Sequence, residues 1–296
     1  MAQSGLPLES LSQTATRRTE LVNIGHRGAS AYAPEHTVAA YDLALAQGAH
    51  YLELDVHLTV DGRIVVMHDE SPHRTGRPTE VGAKGSLRAM SWQQLTSLDF
   101  GSWFNERNRS FRDDGFVGLK ALSLEDVLER YRHMAKFCIE IKPRDRCGLI
   151  ETRLLAILAH YGLDRTRNGE WRVLIMSGSS TQLETIRSLH AYLPLVHLFG
   201  KRDSSAVIRD RLAEIAPTAS AIAPPREAVD AALIAAAHGL GLAVAPYTVN
   251  DPREMRRLLA IGVDGLITDF PDRLDALLWT RARISGAEGS SQSTGA

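Results

Sequence analysis

Short apolar runs alternate with helix-patterned segments eight times between Leu21 and Thr268. The runs are Leu21–Gly25, Tyr51–Val56, Lys136–Ile141, Arg172–Met176, Leu195–Leu198, Ala219–Ile222, Leu242–Pro246 and Val263–Thr268. Strands separated by helices pair in parallel, and eight such units close into a (β/α)8 TIM barrel of the α/β class. A doubly wound open sheet is the alternative; the positions of the polar residues favour the barrel. Pro34 is expected to open a helix that stops at Gly48. Asp251, Pro252 and Glu254 supply a cap, a first-turn proline and a capping acid for another helix ended by Gly262. Ser123 with Asp126 repeats that signal more weakly.

One segment breaks the rhythm. Residues 71–120 are rich in Gly, Arg, Asp and Asn, with Trp92, Phe100, Trp103 and Phe104 among them. That is too long for a simple strand–helix loop and too aromatic for disorder, so it reads as a small subdomain inserted over the C-terminal face of the barrel. The expected organisation is a flexible segment over 1–20, a barrel over 21–284, and a disordered tail over 285–296, where the sequence is small and polar.

A formal net charge of −1 gives no support to nucleic-acid binding or a polybasic membrane anchor. No apolar run reaches membrane-spanning length, and no secretory signal pattern opens the chain, so no stable membrane insertion and a cytoplasmic location are expected. Cys138 and Cys147 do not form a disulfide scaffold, and they lack metal-binding spacing.

In a strand, residues two apart share a face, so Glu53 and Asp55 project together from an otherwise apolar run. Two carboxylates there repel each other and are costly to desolvate, and a cation between them is the remedy. Glu140, with Lys142 two residues on, adds a third acid at the end of another strand. Three oxygen donors suit one hard divalent ion, Mg²⁺ or Ca²⁺, better than zinc or copper. Asp61-Gly62 signals a two-residue hairpin turn, and that register places His68 opposite Asp55. The first strand ends in Gly25-His26-Arg27-Gly28, where Arg27 can fork onto a phosphate and Lys142 can act on it as a point charge. His26 and His68 form a candidate acid–base pair. All these positions fall at strand C-termini, where barrel active sites gather.

The remaining polar residues carry less. His57 reads as a rim histidine without a ligand role. His36, His73, His133, His160, His190, His197 and His238 fall in helices or loops without an acidic partner pattern. Asp264, Asp269 and Asp272 read as turn and capping residues.

The segments GHRGASAYAPEHT, GAHYLELDVHLTVDGRIVVMHD, LSLEDVL, FCIEIK, YTVND and GVDGLITDFPD occur in that order. Together, from about Leu21 to Leu277, they resemble the glycerophosphodiester phosphodiesterases. The resemblance implies a TIM barrel with an insertion after the His-Asp motif, and hydrolysis of glycerophosphodiesters such as glycerophosphocholine to sn-glycerol 3-phosphate and an alcohol. It implies Glu53, Asp55 and Glu140 as metal ligands, His26 and His68 as general base and acid, and Arg27 and Lys142 at the phosphate. Two positions depart from the family pattern. His36 replaces an asparagine, and Tyr247 replaces a tryptophan, keeping an aromatic wall for the substrate but adding a hydroxyl. A lysophospholipase D is a close alternative, with the aromatics of the insertion as material for a lipid-facing surface. A silent barrel that only binds phosphorylated ligands is the competing class, and it would need neither both histidines nor three carboxylates. The expected partner is therefore a small-molecule diester; the sequence leaves the oligomeric state open.

Overall fold

The structure is a computed structural model that describes residues 21–78, 85–142 and 149–280. The segments expected to be a flexible start and a disordered tail lie outside the described residues. Ten strands follow in chain order: β1 (Val22–Gly25), β2 (Tyr51–Leu58), β3 (Ile64–Val66), β4 (Leu122–Ser123), β5 (Lys136–Ile141), β6 (Val173–Ser177), β7 (Leu195–Leu198), β8 (Ala221–Ala223), β9 (Ala243–Val244) and β10 (Gly265–Thr268). Eight of them pair in parallel in the order β10-β1-β2-β5-β6-β7-β8-β9. The Asp264 and Ile267 amides donate to the Val244 and Pro246 carbonyls, each at 3.0 Å, and join the last two strands. The result is the (β/α)8 barrel expected from the alternation, with strand ends displaced by a residue or two.

The helices are α1 (Val38–Ala46), α2 (Trp92–Thr96), α3 (Ser102–Arg107), α4 (Leu124–Tyr131), α5 (Leu149–His160), α6 (Ser180–Leu189), α7 (Ser205–Ile215), α8 (Ala231–Gly239) and α9 (Pro252–Ile261), followed by a helix over 271–280. The caps read from sequence at Ser123 and Asp251 are both made: Ser123 and Asp126 form a reciprocal box, and Asp251 accepts from the Arg253 and Glu254 amides. Pro34 does not open α1. Thr37 caps it instead, its hydroxyl bonded to the Pro34 carbonyl, because His36 just before it takes a left-handed backbone that no helix continues.

Alternation sorts each barrel strand into two faces. Leu52, Leu54, Phe137, Ile139, Val173 and Ile175 face outward and pack with the helices in the main apolar core. Ile24, Cys138, Met176, Val196, Ala223 and Ile267 fill the interior of the barrel, with Tyr51 against them. Glu53 and Asp55 share the parity of Tyr51, and Glu140 that of Cys138, so the acids continue the inner face upward from an apolar plug.

Between β3 and β4 the chain builds a small core of its own from Val65, Met67, Leu87, Met90, Leu95, Leu98 and Phe100. Phe100, Trp103 and Phe104 are buried, and Trp92 packs half-buried against the same core. These rings hold the insert together and do not form an apolar outer face. No helix among the described residues is long and apolar enough to cross a membrane.

Candidate active site

Asp55 on β2 lies directly beside Glu140 on β5 in the parallel register, with Glu53 one pleat below. All three carboxylates are buried. Lys142 Nζ lies 2.6 Å from Asp55 Oδ1 and 2.6 Å from Glu140 Oε1. Arg27 Nε approaches Asp55 Oδ2 at 3.2 Å, while the Arg27 amide donates to Glu53 Oε2 at 2.8 Å. The backbone permits that amide contact because Arg27 and Gly28 both have positive φ. A Cβ on Gly28 would lie 2.7 Å from the Ala40 carbonyl, so only glycine lets α1 approach.

Three acids thus meet two cations, and the acids respond unequally. Burial pushes the Glu53 carboxyl well above the usual range, and the Asp55 and Glu140 charges push it further. Burial and Asp55 raise Glu140 to about 7 against the pull of Lys142. Burial opposes the Asp55 charge as well, but Lys142, the hydrogen bond from His36 and Arg27 hold that carboxyl well below its ordinary value. Glu53 Oε1 is buried without a hydrogen-bond partner. An oxygen left unpaired in this way costs roughly 1–3 kcal/mol, and a hard divalent ion among these carboxylates would satisfy it, so the donor set fits such an ion.

Among the described residues, His36, Glu53 and Asp55 form a group of possible metal donors, with one atom from each lying within 4.8 Å of the others. Glu140 stands outside it, engaged by Lys142. His36 therefore needs correcting: it has an acidic partner. Its Nε2 lies 2.8 Å from Asp55 Oδ2, and its Nδ1 lies 2.8 Å from the Tyr41 hydroxyl. A carboxylate can only accept, so Nε2 carries the proton and donates to Asp55. Burial depresses the imidazole to about 4 despite that bond, which leaves Nδ1 free to accept from Tyr41. Helical spacing hid this contact, because the left-handed turn at Arg27 and His36 swings the ring back toward β2. His197 lies on β7, the strand read from Leu195–Leu198, and not in a helix or loop, and His238 differs from expectation in pairing with Asp264 at 2.8 Å near the surface.

His26 follows β1, and its Nδ1 donates to Asp269 Oδ1 across 2.6 Å. Asp269, expected to serve only a turn, also accepts from Ser30 Oγ at 2.9 Å and from Asn250 Nδ2 at 2.6 Å. Burial opposes its charge, yet His26 and these donors bring it down to about 2. Asp272 accepts from the Tyr32 hydroxyl at 3.0 Å.

The hairpin register also needs correcting. Val56 pairs with Val66, His57 with Val65 and Leu58 with Ile64, so Asp55 opposes Met67 rather than His68. The turn has one residue more than expected, since Gly62 at φ +78 lets the Arg63 amide reach back to Thr59 Oγ1. His68 therefore leaves the strand, and its Nδ1 donates to Asp69 Oδ1 at 2.7 Å. His57, buried rather than at the rim, holds the His68 carbonyl through Nε2 at 3.1 Å. Tyr247 lies beside the interior apolar cluster, with its hydroxyl bonded to the Phe199 carbonyl. A cavity of about 400 Å³ lined by Thr59, Asp61, Arg88 and Arg153 lies at the hairpin turn and contains none of these groups.

Known proteins are similar to this chain over the span that holds these groups. The model of the glycerophosphoryl diester phosphodiesterase family matches residues 26–273. A glycerophosphodiester phosphodiesterase of Bacillus subtilis is 34% identical over 252 residues, covering 85% of this chain and 84% of its own. One from Caldanaerobacter subterraneus is 29% identical over 254 residues, covering 85% and 95%. The crystal structure of a glycerophosphodiester phosphodiesterase from Agrobacterium tumefaciens superimposes with a TM-score of 0.68 at 28% identity, over 86% of this chain and 99% of that one. With its barrel, its buried acids and its paired histidines in the span so matched, the chain belongs to the glycerophosphoryl diester phosphodiesterase family.

Proposed function

We propose that the chain hydrolyses glycerophosphodiesters, glycerophosphocholine among them, to sn-glycerol 3-phosphate and an alcohol, and that it does so with one divalent ion, Mg²⁺ or Ca²⁺. The reading is supported most by one observation: two Asp-held histidines and three buried carboxylates converge at one end of the barrel. A protein that only bound phosphorylated ligands would have no use for two imidazoles oriented in this way.

Glu53, Asp55 and Glu140 would hold the ion, with His36 fixing the far oxygen of Asp55. The ion would supply charge to a phosphoryl oxygen and to the attacking hydroxyl. Arg27 and Lys142 bear on the phosphate. Lys142 pairs with Asp55 and Glu140 and so stands beside the oxygens that would hold the ion. Tyr247 supplies an aromatic wall. One histidine takes the proton of the attacking hydroxyl as its oxygen bonds to phosphorus. The other donates a proton to the alcohol oxygen as its bond to phosphorus breaks. Each Nδ1–H is occupied by its aspartate, so Nε2 is the working nitrogen of both rings.

The test is release of sn-glycerol 3-phosphate from glycerophosphocholine by EDTA-treated protein, with Mg²⁺, Ca²⁺ and Mn²⁺ restored singly. Activity that vanishes with EDTA and returns with one ion is the expected result. Equal activity before and after EDTA would remove the metal from the reading.

A further inference from the structure

A single side chain from the insert reaches both halves of the site. Arg74 Nε donates to Asp69 Oδ2 at 2.6 Å, while its Nη1 and Nη2 donate to Glu35 Oε2 and Oε1 at 2.7 and 2.6 Å. The other oxygen of Asp69 holds His68. Glu35 Oε1 also accepts from Arg27 Nη1 at 3.0 Å, and Arg27 in turn approaches Asp55. An unbroken line of hydrogen-bonded and ion-paired groups therefore runs His68–Asp69–Arg74–Glu35–Arg27–Asp55 across the barrel mouth. Its two ends are the candidate acid–base histidine and the candidate metal carboxylate.

The chemistry of the bridge is particular to a guanidinium. Three of its N–H groups point in one plane at three carboxylate oxygens, a fork that a lysine ammonium cannot reproduce. Trp103, buried in the insert, lies 5.7 Å from the Arg74 guanidinium carbon and backs it. Glu35 is nearly buried, with 10% of its side chain exposed, so its charge depends on the two arginines it joins.

We infer that Arg74 is a positioning residue, acting through Asp69 on His68 and through Glu35 on Arg27, so that the insert sets the acid–base and phosphate-binding groups relative to each other. The inference rests on the reading given under the proposed function. Turnover by the wild type and its loss in His68→Ala test that reading separately.

The bridge itself is tested by steady-state kinetics on glycerophosphocholine with five variants, Asp69→Asn alone among them. Arg74→Lys should lower kcat/KM on the order of 10²-fold, with KM raised as well as kcat lowered, since both ends are displaced. Arg74→Ala should recover part of its activity when guanidinium ion is added at millimolar concentration. Arg112→Gln removes an exposed ion pair of the same insert, with Asp114 at 3.4 Å, and should stay within about twofold of wild type. The double variant Asp69→Asn/Arg74→Lys should be little worse than the poorer single variant, because the two act in series. Wild-type kinetics in Arg74→Lys, an equal loss in Arg112→Gln, or multiplying losses in the double variant would each overturn the inference.

Discussion

His26 and Asp269 stand 243 residues apart in sequence and 2.6 Å apart in space. The parallel pairing of β1 with β10, which sets Gly25 beside Thr268, brings them together. Asp269 is held in turn by Ser30 and Asn250, so the imidazole is oriented by a carboxylate that cannot itself turn.

Asp269→Asn should therefore lower kcat/KM by on the order of 10² to 10⁴, because an amide can present its N–H to Nδ1 and favour the wrong tautomer. The carboxyl stands at about 2 in the folded protein, below its ordinary 3.8. A depressed acid stabilises the fold above its unfolded pKa, and that contribution fades as pH falls from about 4 to 2. Urea melts across that window should be steeper in pH for wild type than for the asparagine variant, and superimposable pH dependences would show that the pair contributes nothing.

Cation binding should release protons. Burial raises both Glu53 and Glu140, the latter to about 7, so an ion held between them competes with protons for their oxygens. Affinity for Mg²⁺ or Ca²⁺ should rise as pH rises, by up to about tenfold per unit below 7 for each proton displaced. Titration calorimetry in buffers of different ionisation enthalpy measures the proton count directly. Stabilisation by the ion should likewise be larger at pH 8 than at pH 6, because raised carboxyls cost the ion-free fold stability as pH passes their folded values. An affinity indifferent to pH, or one unchanged in Glu53→Gln, would place the ion elsewhere.

Removing the His36 ring leaves Asp55 Oδ2 and the Tyr41 hydroxyl short of a partner in a buried site. His36→Ala should cost about 2–4 kcal/mol of folding stability and lower cation affinity roughly 10–100-fold. His36→Asn keeps a donor and should lose less on both counts. A fully stable alanine variant with normal ion binding would show that the ring only fills space.

The two histidines can be separated by leaving group. Both His26→Ala and His68→Ala should depress turnover of glycerophosphocholine by at least about 10²-fold. With a p-nitrophenyl diester, whose leaving group needs no proton, one of the two variants should regain most of its rate. That variant lacks the general acid. Equal losses on both substrates would falsify the acid–base pairing.

Tyr247→Phe tests the tryptophan-to-tyrosine change. The hydroxyl is already given to the Phe199 carbonyl. The variant should keep kcat/KM within about threefold and lose on the order of 1 kcal/mol in denaturant melts. A large change in KM would instead mean that the hydroxyl reaches substrate.

Much of this was readable from residue order. The eight alternating units dictate the barrel, because each apolar run is long enough for one strand and each helix must cover it. Parity alone puts Glu53 and Asp55 on one face, since side chains two apart cannot do otherwise, and the pairing of β2 with β5 brings Glu140 beside them. His26 and Arg27 follow from their place at a strand's end. The alternation in the hairpin was equally plain, but its register was not. A single left-handed residue, Gly62, lengthened the turn and moved His68 off Asp55, and strand periodicity is blind to such a shift. Asp269, His36 and Arg74 were beyond reach for a related reason. Each matters through a partner fixed by strand pairing, a positive-φ turn or the docking of the insert, and none of these leaves a local pattern. Residue order names the groups that can do chemistry and the face that Glu53 and Asp55 share. Their orienting partners come from the folded chain, because a hydrogen bond is set within tenths of an ångström by segments distant in the chain.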